Sequence, residues 1–180
     1  MLDDYYSHHP TVSLERPLIL TGRFHSDTRR VAHFLAGQTG LLLLDVDDAV
    51  AHQLGQSIVA LRARDGQRAY LTEEAAALRR LSRQRPAGII RVGQDCFLER
   101  GVFSTVRKHC SIYYIARPED FEGDIPAPPT AAPRPWDRSL RWLSSVLKPR
   151  LSDVATRLID GEDRHALSIA RQIAAELRDG

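Results

Sequence analysis

The chain has 180 residues, 43% of them hydrophobic, and a formal net charge of +2 at pH 7, which predicts one well-buried domain. The small charge, with Arg mixed among Asp and Glu, excludes an electrostatic footprint for nucleic acid. No run of about 18 apolar residues is present, and the N-terminus MLDDYYSHHP is acidic and polar, so no membrane contact or signal peptide is predicted and a cytoplasmic protein is expected.

Residues 1–15 are predicted to form a flexible tail, and residues 16–180 a single α/β domain. In the first part of this domain, apolar runs that predict buried strands alternate with segments of helical spacing. The predicted strands are PLILT at 17–21, LLLL at 41–44, GIIRVG at 88–93 and SIYYIA at 111–116. The predicted helices run from 28 to the stop at Gly37 and Gly40, over 48–54 and 73–84, and near 98–108.

The second part begins with a Pro-rich, acidic stretch at about 118–137, which is predicted to be a mobile, lid-like loop. Leucines at helical spacing between 140 and 151 predict a helix that Pro149 ends or kinks. A strand at 156–160 and a helix at 163–177 follow. The inner face of that last helix is predicted to carry Leu167, Ala170, Ile173, Ala174 and Leu177.

This alternation predicts a parallel β-sheet flanked by helices, an α/β three-layer sandwich, because parallel strands need crossovers that cover both faces. Ligands in such a fold bind beyond the carboxyl ends of the strands. Three loops follow predicted strands in this chain, namely GRFHSDTRR, DVDD and GQDC. We therefore expect them to converge on one candidate cleft.

From about Pro17 to the C-terminus, the order of short motifs resembles the shikimate kinase family of P-loop small-molecule kinases. LLDVDDAV, GQSI, DGQRAYLTEE and GIIRVGQDC follow the first loop in that order. In that family the corresponding pieces are a GxxGxGKST loop, a DxD, GxSI, GExxFRxxE and GGG. The resemblance implies the P-loop kinase topology and a cleft that binds ATP with Mg²⁺ and a small hydroxylated acceptor.

Asp45 and Asp47 occupy the positions of the family's DxD. The resemblance implies that Asp45 belongs to the metal environment and that Asp47 is the base that accepts the substrate hydroxyl proton, tasks that suit carboxylates. The alternative is structural, because Asp47 or Asp48 could cap the helix that follows the strand.

The other acceptor positions match the family only in part. Glu74 matches the Glu of FRxxE and Gly93 the first Gly of GGG, while Asp95 brings a side chain to the position of the third Gly. Leu71 and Leu147 stand where the resemblance places two arginines that bind the substrate carboxylate. The candidate substrate-binding residues are Asp47, Glu74, Gly93, Asp95 and His25.

The phosphate loop departs most from the family pattern. Only Gly22 remains of its glycines, because His25 and Asp27 occupy the other two glycine positions. Thr28 replaces the Lys that would span the β and γ phosphates, so no cofactor is named and the sequence argues against Mg-ATP. Asp27 would add repulsion toward a triphosphate.

Three arginines could compensate for the missing Lys. Arg29 and Arg30 occupy the hydroxyl positions of the loop, and Arg134 in PRPW resembles the RP of the family's lid. Arginine is a good forked donor to phosphate, which makes these three the candidate phosphate contacts together with Gly22. Otherwise they are solvated surface residues.

Three hypotheses follow. The first is a catalytically degenerate member, a pseudokinase that binds a small molecule or a protein partner. The second is an active enzyme, either a kinase rescued by the three arginines or one that uses Asp45, Asp47, Asp95 and His25 for a different reaction. The third is an assembly component whose cleft is filled by side chains such as Phe24 and Gln94.

The two cysteines, Cys96 and Cys110, lack CxxC spacing and are predicted to be free, buried thiols. The oligomeric state and the identity of any ligand are not encoded in a recognisable pattern.

Overall fold

Strand β1 (Leu18–Gly22) has all five residues buried and lies at the centre of a parallel sheet. The computed structural model describes residues 12–22, 27–99, 101–116, 155–161 and 164–179. β1 pairs with β3 (Ile89–Arg91) on one side and with β4 (Ser111–Ala116) on the other. β2 (Leu43–Asp45) pairs with β3 and β5 (Arg157–Asp160) with β4, so the order is β2-β3-β1-β4-β5.

Helices cover both faces of this sheet, which confirms the predicted α/β three-layer sandwich. The described helices are α1 (Thr28–Thr39), α2 (Val46–Leu54), α3 (Ile58–Leu81), a 3₁₀ helix (Gln94–Leu98), α4 (Val102–His109) and α5 (Ala166–Asp179). Because successive side chains of a strand point to opposite faces, the central strands divide the buried apolar residues into two cores. Ile19, Ile90 and Ile112 face α2, α3 and α4, whereas Leu20 and Ile115 face α1 and α5.

The largest difference from the sequence prediction is α3, which has 24 residues where only 73–84 was expected to be helical. Its first part was missed because Gly66 interrupts it with φ 83° and ψ 172°, a conformation open only to glycine. Two helical segments therefore meet at Gly66. The second segment carries Tyr70 and Glu74 toward the sheet, where both side chains are buried.

The β2–α2 junction also differs from expectation. β2 ends at Asp45 and α2 begins at Val46, two residues before the predicted start. Asp45 is the N-cap, and its side chain accepts a hydrogen bond from the backbone N–H of Asp47. The alternative left open for Asp47 or Asp48, that one of them caps this helix, is wrong, because a cap must precede the first helical residue and both lie in the first turn.

Close pairing of β2 with β3 sets the two strand ends side by side. Gly88 precedes β3, and a Cβ at this position would lie 2.4 Å from the carbonyl oxygen of Leu42. Glycine therefore permits the hydrogen bond of 2.8 Å from the Ile89 N–H to that oxygen. In the resulting register, Asp45 is the partner of Arg91.

Helix α5 packs on α1 through a face rich in small residues. Its buried residues are Ala166, Ile169, Ala170, Ile173 and Ala174. The prediction was wrong for Leu167, which is half-buried and outside this core, and it omitted Ile169. Alanines on the face let two helices approach closely, so that the larger Leu side chains are displaced to its margins.

Several predicted segments lie outside the described residues. They are the N-terminal tail up to residue 11, the loop at 118–137 and the helix at 140–151. Both cysteines are free and buried, as predicted. Within the described part of the chain, no helix has the length and apolar character to cross a membrane.

Candidate functional site

A cavity of about 330 Å³ opens at the carboxyl ends of β1 and β3 and beside the start of α2. The fold thus brings together residues that are distant in the sequence. Of the predicted site residues, Gly22, Arg29, Asp47, Glu74, Gly93 and Asp95 line it. Arg30 and Asp45 do not line it, and His25 and Arg134 lie outside the described residues.

Asp45 is held by three donors. Its Oδ2 accepts a hydrogen bond of 3.0 Å from Arg29 Nε. Its Oδ1 accepts two hydrogen bonds, one of 3.2 Å from Arg91 Nη1 and one of 2.9 Å from the Asp47 N–H. The side chain is only 7% exposed. Both carboxylate oxygens are therefore committed to the protein, in helix capping and in ion pairs.

Asp47 is similarly engaged. Tyr70 donates its hydroxyl to Oδ1 at 2.5 Å, and Arg91 Nη1 donates to Oδ2 at 2.6 Å. Burial by itself raises the pKa of Asp47, but the hydrogen bonds from Tyr70 and Arg91 and the charges of Arg91 and Arg29 outweigh it, and the pKa lies below its ordinary value. Asp47 is therefore an ionised acceptor and a weak base.

Arg91, Tyr70 and Arg62 line the cavity and were missed by sequence reasoning. Arg91 is the only charged residue in the apolar run GIIRVG, and its side chain is 17% exposed. A charge in a buried strand requires a partner of opposite sign, and the DVDD loop was the available source. That signal was present, whereas the position of Tyr70 depended on the unpredicted first part of α3.

The arginines proposed as phosphate contacts are already paired. Arg29 binds Asp45 and, through Nη2, Asp48 at 3.2 Å. Arg30 Nη1 donates to Asp27 Oδ2 at 3.1 Å, and its side chain is 69% exposed. Asp27 itself is a non-glycine residue with φ 51° directly before α1.

Glu74 is the most deeply buried carboxyl group of the cavity, at 1% exposure. Neither of its carboxylate oxygens has a hydrogen-bond partner among the described residues. Burial and the charges of Asp47 and Asp95 raise its pKa to about 8, although Tyr70 and the backbone of Gly93 oppose this in part. The group is therefore largely protonated at neutral pH. Gly93 leaves room for it, because a Cβ there would lie 3.1 Å from Glu74 Oε1.

Asp95 lies on the 3₁₀ helix beside Gly93. Its Oδ1 is buried, and no described residue donates to it. Burial raises its pKa, while the charge of Arg62 lowers it. The Arg62 guanidinium lies over the Tyr70 ring, 3.9 Å from the ring centroid, where the ring face attracts it.

The residues do not fit the Mg-ATP that the resemblance implies. Both Asp45 oxygens already accept hydrogen bonds from Arg29 and Arg91, so a cation would have to displace an arginine. Among residues 12–22, 27–99, 101–116, 155–161 and 164–179, no three His, Cys, Asp or Glu side chains are grouped to hold a metal. Burial raises the pKa of the Cys96 thiol well above its ordinary value, which opposes a thiolate nucleophile.

Replacing Arg91 should destabilise the protein far more than replacing Arg29. R91M leaves two largely buried carboxylates with fewer donors, which costs about 3 kcal/mol. R29M removes a guanidinium that is 51% exposed, and it should cost less than about 1 kcal/mol. Urea unfolding of both variants measures the difference. Equal losses would mean that the buried pairs do not hold the site together.

Glu74 should make stability fall as pH rises. Its pKa is about 8 in the folded protein and 4.5 ordinarily, so between these values the folded state keeps a proton that the unfolded state releases. The stability that Glu74 contributes is then fully present below pH 4.5 and declines up to about pH 8, by on the order of 4 kcal/mol. Thermal unfolding from pH 5 to 8 should show a decline in wild type and E73Q that E74Q largely lacks. An equal decline in all three would contradict this assignment.

Comparison with known proteins identifies the family. The chain matches the family model for shikimate kinase over residues 29–178, so the match begins beyond most of the predicted phosphate loop. A search of curated proteins found no match.

Three solved structures share the fold at low sequence identity. Shikimate kinase from Acinetobacter baumannii in complex with shikimate has a TM-score of 0.74 at 18% identity, covering 91% of this chain and 93% of that one. Shikimate kinase from Aquifex aeolicus has a TM-score of 0.72 at 19% identity, covering 90% of this chain and 96% of that one. Shikimate kinase from Bacteroides thetaiotaomicron has a TM-score of 0.65 at 11% identity, covering 91% of this chain and 98% of that one. With a family model matched over most of its length and a five-stranded parallel sheet of the P-loop kinase type, this chain belongs to the shikimate kinase family.

Proposed function

We propose that this family member does not transfer phosphate from ATP and acts by binding a small molecule in the cavity at the strand ends. The observation that carries the proposal is the Arg91 guanidinium, which donates to Asp45 at 3.2 Å and to Asp47 at 2.6 Å. The two carboxylates that the resemblance assigns to metal and to proton transfer are both bound by this one guanidinium.

The acceptor side argues against catalysis of phosphoryl transfer. A general base works best when its pKa is near the working pH and its oxygen can reach the substrate hydroxyl. Asp47 has a lowered pKa, and its two oxygens accept from Tyr70 and Arg91. A substrate would have to displace a buried phenol or guanidinium before Asp47 could act.

The nucleotide side argues the same way. Thr28 stands at the position of the phosphate-binding Lys and is buried at 7% exposure as the first residue of α1. Asp27 precedes it and lines the cavity, where its charge opposes a triphosphate. Loss of one preorganised charge costs on the order of 3 kcal/mol in transition-state stabilisation. Arg29 and Arg30 do not replace it while they are paired with aspartates.

The cavity supports binding as the retained activity. Gln94 is buried at its edge, but a space of about 330 Å³ remains. This volume lies at the small end of ligand pockets, which suits a metabolite. A frame kept only for protein contacts would not need this space or the unpartnered carboxyl groups within it.

A second candidate is an enzyme with a different reaction, and Glu74 favours it. A buried carboxyl group with a pKa of about 8 in a cavity has the properties of a general acid or base at neutral pH. The two candidates share one binding site, and they differ in whether the bound molecule is changed.

Calorimetric titration with Mg-ATP, alone and with shikimate present, tests the main proposal. We expect no saturable heat at millimolar nucleotide and no shikimate-dependent ADP formation. The Acinetobacter baumannii shikimate kinase, titrated in parallel, is the positive control. Saturable binding in the micromolar range together with turnover would overturn the proposal, and it would mean that an arginine has replaced the missing Lys.

A further inference from the structure

Three buried carboxyl oxygens without partners lie in one cavity. They are Oε1 and Oε2 of Glu74 and Oδ1 of Asp95. Glu74 is 99% buried by area, with an exposure of 1%. Buried polar groups in folded proteins are almost always hydrogen-bonded, and leaving one unsatisfied costs about 1–3 kcal/mol. These three oxygens therefore need donors.

The strongest side-chain donors nearby are committed to the aspartates. The Tyr70 hydroxyl donates to Asp47, and Arg91 Nη1 donates to Asp45 and Asp47. Leu71 is one helical turn before Glu74 and contributes an apolar side chain to the core. The positive charge of Arg62 lowers the pKa of Asp95 in part, but the Arg62 guanidinium stacks on the face of the Tyr70 ring. Two further donors lie close by, the Gly93 backbone N–H, which lowers the pKa of Glu74 in part, and Arg91 Nε, which is buried without a partner. Neither is in hydrogen-bonding position to the three oxygens, so a ligand can supply their donors.

We propose that Glu74 and Asp95 bind the primary ammonium group of a small metabolite. A primary ammonium carries three N–H donors and no acceptor, which matches the three unpartnered oxygens, and charge-assisted hydrogen bonds are the stronger kind. A hydroxyl group offers one donor and adds lone pairs of its own. An ionised carboxylate carries no donor for these oxygens. The proposal rests on the proposed function, since it names the ligand class of that cavity.

The chemistry favours an organic cation over a metal ion. No grouping of three metal-ligating side chains is found in the described residues. A volume of about 330 Å³ accommodates a six-membered ring with its substituents, and Glu74, Asp95, Gly22 and Thr28 all line it.

Binding of an ammonium should release a proton from Glu74. With a pKa of about 8, about nine-tenths of the group is protonated at pH 7, and an ammonium favours its ionised form. Affinity should therefore increase from pH 6 to pH 9, until the amine itself loses its charge near pH 10. The titratable groups that interact with this pair are Asp47 from α2, Tyr70 and Arg62 from α3, and Cys96 from the 3₁₀ helix. The other charged groups that line the cavity are Arg91 at the end of β3, Arg29 on α1 and Asp27 before it.

The test uses three probes with the same ring, namely cyclohexylamine, cyclohexanol and cyclohexanecarboxylate. Isothermal titration calorimetry at pH 7 and pH 9, in buffers of different ionisation enthalpy, measures affinity and proton release. We expect cyclohexylamine to bind at least tenfold more tightly than either other probe and to release about 0.9 proton at pH 7. E74Q and D95N should each weaken amine binding about tenfold, and E74Q should abolish the proton release. E73Q is the matched control, because Glu73 does not line the cavity.

The proposal is overturned if the alcohol or the carboxylate binds as well as the amine, or if none of them binds at 10 mM. It is also overturned if E74Q binds the amine like wild type, or if Mg²⁺ competes with the amine for the site. Should E74Q fail to fold, D95N and the wild-type proton release decide the question. Turnover of Mg-ATP would overturn the proposed function alone, and loss of amine selectivity would overturn this inference alone.

Discussion

One guanidinium organises the whole site. Arg91 lies at the carboxyl end of β3 and donates to carboxylates on both sides of the β2–α2 junction, Asp45 and Asp47. Burying three charges is unfavourable unless each is paired, so the contact fixes the orientation of all three side chains. Tyr70 then completes the hydrogen bonding of Asp47. The acidic pair is thereby a structural unit, and a metal or substrate would have to break buried ion pairs to use it.

The same arrangement leaves Glu74 without a partner. The hydroxyl of its neighbour Tyr70 donates to Asp47, and burial and nearby negative charge raise the pKa of Glu74 to about 8. Two kinds of carboxyl group therefore lie in or beside the cavity: Asp45 and Asp47 accept hydrogen bonds from arginine, whereas Glu74 and Asp95 have buried oxygens without a partner among the described residues. This difference between the two pairs of carboxyl groups distinguishes the proposed binding protein from a phosphotransferase with the same fold.

The fold was predictable from sequence to a greater extent than the site. Apolar runs separated by helical spacing predicted the parallel sheet, because burial on both faces imposes continuous hydrophobic strands. The length of α3 was underestimated because Gly66 is typical of a helix end. Tyr70 was missed for the same reason, since it lies in the part of α3 before residue 73 that was not predicted to be helical. Arg91 was visible as a charge in an apolar strand, but its partners depended on the β2–β3 register. The family match and the shared fold leave open the activity, which depends on these particular pairings.

Carbon-13 NMR titration of the Asp47 side-chain carboxyl most directly tests the central claim that Arg91 and Tyr70 hold this group as a paired anion. The account predicts a pKa below the ordinary Asp value of about 3.9 in wild type, and an upward shift in R91M. A wild-type pKa near neutrality would contradict it, because Asp47 would then be a free base suited to proton transfer, as the resemblance to active kinases implies.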